Sequence, residues 1–276
     1  MPSAEHQALC AIAIAAARAG ARAALRHAPT ACLPPITVET KGDASPVTRA
    51  DRESEAAIRN VIAGARPGDA WLGEETGTAD RLDAAAPATP YRWIVDPIDG
   101  TRNFVRGVPL WAVLVACTEI GRNGHERVVA AAVEIPGQGE AYDAVLGGGA
   151  RCNGERLRVS PVATLDRALF CYETPGWFRS HGLGRVFERL LERTALSRGL
   201  CDAYGHMLVA SGRAELAVEP HLSVWDVAAT SLVVSEAGGR FSDLAGTPAI
   251  RSGHAVVSNA LVHDDTLAII RAEQEP

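Results

Sequence analysis

Lysine is almost missing from this sequence. Lys41 is the only one, so nearly all of the 27 Lys and Arg residues are arginine, and biased codon usage is the plain account of that choice. A basic excess is missing too. With 33 acidic residues the formal net charge is −6, which argues against a general nucleic-acid binder, since the total implies no basic face. A small anionic substrate stays possible, because a metal ion can supply positive charge locally. None of the six cysteines pairs as CxxC, and no histidine stands at zinc-finger spacing from them. Several lie in apolar runs, where Cys packs as a small hydrophobe, so a reduced, cytoplasmic setting is expected. No Lys or Arg precedes the apolar run from Leu9 to Ala17, so the charged start of a signal peptide is missing. The run is also short for a membrane span. Arg18, Arg22 and Arg26 follow at four-residue spacing, which predicts an Ala-rich amphipathic helix over 4–28. No internal repeat or low-complexity linker is visible, and neither a nucleic-acid nor a membrane partner is implied.

What is present is enough for a large core. Hydrophobic residues make up 47% of the 276 and charged ones 22%, a balance that excludes wholesale disorder. The length allows one large domain or two fused halves. A second helix is predicted from about Ala50 to Ala63, ending near Gly64 and Pro67. Arg92 to Val95 reads as a strand halting at Asp96-Pro97. Further strands are expected over 110–120, 127–135 and 141–146, and Asn153-Gly154 signals a tight hairpin. The last third alternates strands near 168–172, 215–218 and 254–258 with helices near 183–194, 204–211, 226–237 and 262–271. The fold expected is mixed, with helices layered against sheets.

The sharpest chemical feature is Trp93-Ile94-Val95-Asp96-Pro97-Ile98-Asp99-Gly100-Thr101. An apolar strand ends in two carboxylates three apart, around a rigid proline. An isolated Asp-Pro commonly marks a turn, but here a second Asp, a Gly and a Thr follow. Gly100 allows close backbone approach to a ligand. The N–H groups after it can cradle a phosphate, and the Thr101 hydroxyl can orient a water. Two other acidic elements, Gly73-Glu74-Glu75 and Trp225-Asp226, could complete a site. Each also has a plain reading: Glu-Glu as solvated surface, and Asp226 as a helix cap. Magnesium takes oxygen ligands and keeps several waters, so a few carboxylates and a substrate phosphate suffice.

Gly73-Glu74-Glu75, Asp96-Pro97-Ile98-Asp99-Gly100-Thr101 and Trp225-Asp226-Val227-Ala228-Ala229 together resemble the inositol monophosphatase family, in order and at similar separations. The resemblance runs from about Lys41 to Asn259. It implies an αβαβα sandwich as one domain over 1–276, with an N-terminal half to about 165 and a C-terminal half from about 166, usually as a homodimer. It implies that Glu74, Asp96, Asp99, Asp226 and the Ile98 carbonyl hold two or three Mg2+ ions. Gly100, Thr101 and Lys41 would bind phosphate. Thr101 with Asp51, and Glu74 through its metal, would activate the attacking water. Glu219 falls at the family's substrate-hydroxyl position, with an exposed strand-end glutamate as the alternative.

Within the family, the stretches 105–112, 199–210 and 219–226 resemble the histidinol-phosphatase branch, although Ala203 and Gly205 replace aromatic residues of that branch. Asp202 aligns where inositol enzymes carry a small apolar residue near the substrate. A carboxylate there suits an ammonium group, and histidinol phosphate carries an amine where inositol phosphate has none. A cap on the helix beginning near Tyr204 is the plainer role for Asp202. The expected substrate is a small phosphorylated metabolite, histidinol phosphate first. Inositol phosphate, a sugar bisphosphate or adenosine 3′,5′-bisphosphate remain alternatives, as does a catalytically silent binding protein of the same fold.

Overall fold

Helix α1 (Ala4–Leu25) starts at Ser3, whose hydroxyl accepts from the His6 N–H at 3.0 Å. By length and composition its 22 residues could cross a membrane. Here, however, Leu9, Ala13, Ala16, Ala17 and Ala24 are fully buried in the protein. A face of such small residues lets the next long helix approach closely: a Cβ on Gly20 would lie 2.7 Å from Ile58.

The computed structural model describes residues 2–29, 39–40, 46–83, 88–121, 124–200 and 202–274. The chain divides into two units, 1–148 and 149–276, a boundary ahead of the 165/166 division expected from the resemblance. In the first unit, α1 is followed by β1 (Glu39–Thr40), β2 (Pro46–Val47), α2 (Arg49–Ala65), β3 (Ala70–Gly73), β4 (Gly77–Ala79), β5 (Tyr91–Asp99), α3 (Thr101–Val105), β6 (Ala112–Ile120), β7 (Glu126–Ile135) and β8 (Glu140–Val145). Strands β1 and β2 form a small antiparallel pair. The others lie in the order β8-β7-β6-β5-β3-β4. All neighbours in that row are antiparallel except β3 and β5, which run parallel. Helices α1 and α2 pack on this sheet around Ile58, Ile62, Trp71, Trp93 and Phe104, all essentially without solvent contact.

In the second unit, Asn153 and Gly154 both take positive φ (50° and 86°) and turn β9 (Gly149–Cys152) back onto β10 (Glu155–Arg156). The chain continues through β11 (Leu169–Cys171), α4 (Pro175–Ser180), α5 (Gly184–Arg193), β12 (Leu196–Arg198), α6 (Ala203–Ala210), β13 (Leu216–Glu219), α7 (Val224–Glu236), β14 (Arg240–Ser242), β15 (Ala255–Ser258) and α8 (His263–Gln274). Five of these strands form a sheet in the order β12-β11-β13-β15-β14. Strands β12, β11 and β13 are parallel to one another, so their carboxyl ends open on one edge. Phe170, Phe178, Leu190, Leu216 and Val256 centre the core of this unit. Cys117 and Cys171 are free thiols, and burial pushes Cys171 up to about 12.

Two readings of local structure need correction. Strand β5 does not halt at Asp96-Pro97 but runs on to Asp99, because a bulge absorbs the proline. Strands β12 and β14 and helix α4 were not anticipated; the strands are three residues long and α4 six, too short for a periodic pattern to emerge.

Two buried histidines tie this fold to pH. His206 on α6 contacts Thr230 on α7 through Nδ1 at 3.0 Å, and Thr230 Oγ1 donates to the Val227 carbonyl, so Nδ1 carries the proton. His263 sits between the Ser242 and Ser258 hydroxyls at 2.9 and 2.8 Å. Burial pushes each down to about 4, below the ordinary ~6.5. The unfolded chain therefore binds protons that the folded chain refuses, and stability present above pH ~6.5 is lost as pH falls toward 4. His206→Asn keeps a donor for Thr230, so its stability should fall less between pH 7 and 5, by about 1–2 kcal/mol. Urea titrations at the two pH values measure this, and an unaltered acid slope would assign the proton uptake to other groups.

Candidate active site

The site in the first unit begins with the register of β5. Asp96 pairs with Leu114 and Asp99 with Ala112, three steps on β5 against two on β6. In an unbroken strand, side chains three apart point to opposite faces. The one-residue bulge removes that alternation, and Asp96 and Asp99 offer carboxylate oxygens within 4.8 Å of each other. Pro97 suits this place because a bulge tolerates a residue with no N–H to give. Asp96 Oδ1 also accepts from the Ile98 N–H at 3.0 Å. Both aspartates are buried.

Past the strand, Gly100 takes a left-handed conformation (φ 80°, ψ 36°) and starts α3. Helix geometry gives the N–H groups of Thr101 and Arg102 no acceptor within α3. Thr101 Oγ1 lies 2.9 Å from the Ile98 carbonyl and 3.4 Å from Asp51 Oδ1. Asp51 is the third residue of α2, and its Oδ2 accepts from both the N–H and the hydroxyl of Thr48, at 2.8 and 2.7 Å. Burial raises the Asp51 pKa; the Thr48 bonds oppose the rise and the nearby Glu74 charge adds to it. Glu74 follows β3 directly, its N–H donating to the Val95 carbonyl at 3.1 Å. The first unit thus brings Asp51, Glu74, Asp96, Ile98, Asp99 and Thr101 into one neighbourhood. Lys41 lies outside the described residues.

Sequence reading missed two residues behind this neighbourhood. Ser54 on α2 donates to the Pro97 carbonyl at 3.0 Å. Glu55, one residue on, is 1% exposed and accepts from the N–H groups of Glu75 and Thr76 at 2.8 and 2.9 Å. It also explains Gly73, where a Cβ would lie 2.7 Å from the Glu55 carboxylate. The available signal was the helical spacing of Asp51, Ser54, Glu55, Ile58 and Ile62, which puts the polar three on the buried face.

In the second unit, Asp226 is the third residue of α7 and not its cap; Ser223 is the cap, and the Ser223 N–H donates to Asp226 Oδ2 at 2.7 Å. Glu219 ends β13 and is 1% exposed, which corrects the alternative of an exposed strand-end glutamate. Asp202 stands at the cap position of α6, but its side chain makes no capping hydrogen bond. Its φ is 58°, a region that ordinary residues occupy at a cost.

The donor set in the first unit fits a hard divalent cation: oxygen atoms only, from buried carboxylates that would repel one another without a positive charge. The close approach at Gly73 gives a structural prediction. Gly73→Ala should displace the Glu55 carboxylate from two N–H groups and cost about 1–3 kcal/mol. Chemical denaturation reads this, and an unchanged midpoint would mean that Glu55 moves aside freely.

Comparison with known proteins agrees across both units. A profile of the inositol monophosphatase family matches residues 5–275. A histidinol-phosphatase of Streptomyces coelicolor is 40% identical over 85% of this chain and 87% of its own. A histidinol-phosphatase of Mycobacterium tuberculosis is 40% identical over 86% and 89%. The crystal structure of the extragenic suppressor protein suhB from Bartonella henselae superposes with a TM-score of 0.84, at 29% identity, over 96% of this chain and 98% of that one. The layered α/β fold expected from the resemblance is the fold of that relative, and the chain belongs to the inositol monophosphatase family.

Proposed function

We propose that this protein is a Mg2+-dependent phosphatase that hydrolyses histidinol phosphate to histidinol and phosphate. The observation that carries the phosphatase reading is the bulge in β5, which turns two buried aspartates to one side beside Thr101 and Asp51. The histidinol assignment draws on the two histidinol-phosphatases at 40% identity and on Asp202, whose carboxylate does not cap α6 and suits an ammonium group.

In this reading Glu74, Asp96, Asp99, the Ile98 carbonyl and, from the second unit, Asp226 hold the metal ions. Bound magnesium would supply positive charge for the phosphate and lower the pKa of a water. The remaining chemistry belongs to the chain. Gly100 and Thr101 N–H groups, with Lys41, receive phosphate oxygens. Thr101 Oγ1 takes a hydrogen bond from the attacking water and passes its own proton toward Asp51 Oδ1. Asp51 suits this role because burial makes its carboxylate more basic. Thr48 holds the other oxygen of Asp51, so the base cannot rotate away. Asp202 and Glu219 face the leaving alcohol.

The direct test is phosphate release from histidinol phosphate and from inositol 1-phosphate at equal concentration, with magnesium and with excess chelator. Faster release from histidinol phosphate, only with metal, is expected. Asp96→Asn should abolish turnover with circular dichroism unchanged. Full activity in chelator would remove the metal from the reading, and a preference for inositol phosphate would remove histidinol. For the water, Thr101→Ala should lower kcat by ~10²–10⁴-fold with a much smaller effect on KM. A near-normal kcat would show that water is activated without the Thr101–Asp51 pair.

A further inference from the structure

In the second unit the carboxyl ends of β12, β11 and β13 open on one edge, the edge of a parallel sheet where ligands commonly bind. The segment leaving β12 leads to Asp202. Strand β13 ends in Glu219, with His221 two residues beyond. The segment leaving β11 enters α4, which carries Trp177 and ends at His181. Topology alone therefore puts three rings and two carboxylates on the same edge.

The rings are ordered. Trp177 and His221 have centroids 4.6 Å apart and planes within 17°. His181 and His221 are 5.0 Å apart within 27°, and Trp177 and His181 5.7 Å apart within 11°. A three-ring column would put its end rings about twice one spacing apart, so these distances fit His221 lying across Trp177 and His181 as neighbours. His181 Nδ1 is held 2.9 Å from the Trp177 carbonyl, which fixes that floor. The stack does not serve the core, because Phe178, the neighbour of Trp177 on α4, packs with Phe170 and Phe187. His221 and His181 are exposed and Trp177 is half-buried, so the outer face of the His221 ring meets solvent.

The geometry points to the Trp177–His181–His221 stack as the seat for a planar heteroaromatic ring on the leaving alcohol, stacked on the open face of His221. Asp202 and Glu219 are the carboxylates on the same edge for an amine on that alcohol. This inference rests on the histidinol-phosphate reading and adds the residues that recognise the imidazole ring. Parallel, offset rings at such distances attract beyond the area they bury.

The test compares histidinol phosphate with phosphoethanolamine, an ester that has the amine and lacks the ring. The readout is the ratio of their kcat/KM values in the wild-type protein, in His221→Ala and in Trp177→Leu. His221 is exposed in a loop, so its variant keeps the core, and thermal melts check the fold of Trp177→Leu. The ratio should fall about two- to tenfold in each variant. A wild-type ratio well above one that stays unmoved in both folded variants overturns the stacking inference and leaves the histidinol reading intact. A wild-type ratio near or below one overturns both.

Discussion

Helix α2 turns to the interior a face that is polar where a core helix is usually apolar. Asp51, Ser54 and Glu55 are essentially without solvent contact, and each holds a different segment. Asp51 faces the Thr101 hydroxyl, Ser54 binds the Pro97 carbonyl, and Glu55 binds two N–H groups after Glu74. Buried polar groups of this kind are costly unless satisfied, so the helix and the three segments define one another's positions. The Ala-rich face of α1 and the missing side chain at Gly20, where a Cβ would lie 2.7 Å from Ile58, let α2 approach closely.

The two units contribute different chemistry. The first gathers buried carboxylates around the turn from β5 into α3. The second presents carboxylates and rings at the carboxyl edge of parallel strands. Helices α2 and α7 use the same local device at their starts. Asp51 and Asp226 are each the third residue of a helix, and each accepts from the N–H of its cap residue, Thr48 or Ser223. One carboxylate oxygen is fixed by the helix start, which sets the direction in which the other is offered.

Much of this was legible in the sequence because the acidic motifs are short and contiguous. Asp96-Pro97-Ile98-Asp99-Gly100-Thr101 announces paired carboxylates and a turn into a helix, and alternation and turn residues located the long strands and most helices. What was not legible depended on partners far along the chain. Whether β5 stops at Pro97 or bulges past it depends on β6 supplying a neighbour for Asp99. The burial of Glu55 depends on a segment twenty residues away. Glu219 reads as an exposed strand end until flanking strands enclose it. Ser223-Val224-Trp225-Asp226 carried its own capping signal, visible at the spacing of Ser and Asp.

The bulge in β5 also bears on how such a site arises. Replacing one side chain by another cannot bring residues three apart to the same face of a flat strand. A bulge can, since its unpaired residue shifts everything beyond it by half a pleat. A strand that kept both acids three apart but lost the bulge would keep the sheet, yet hold them on opposite faces, where no single cation could reach both.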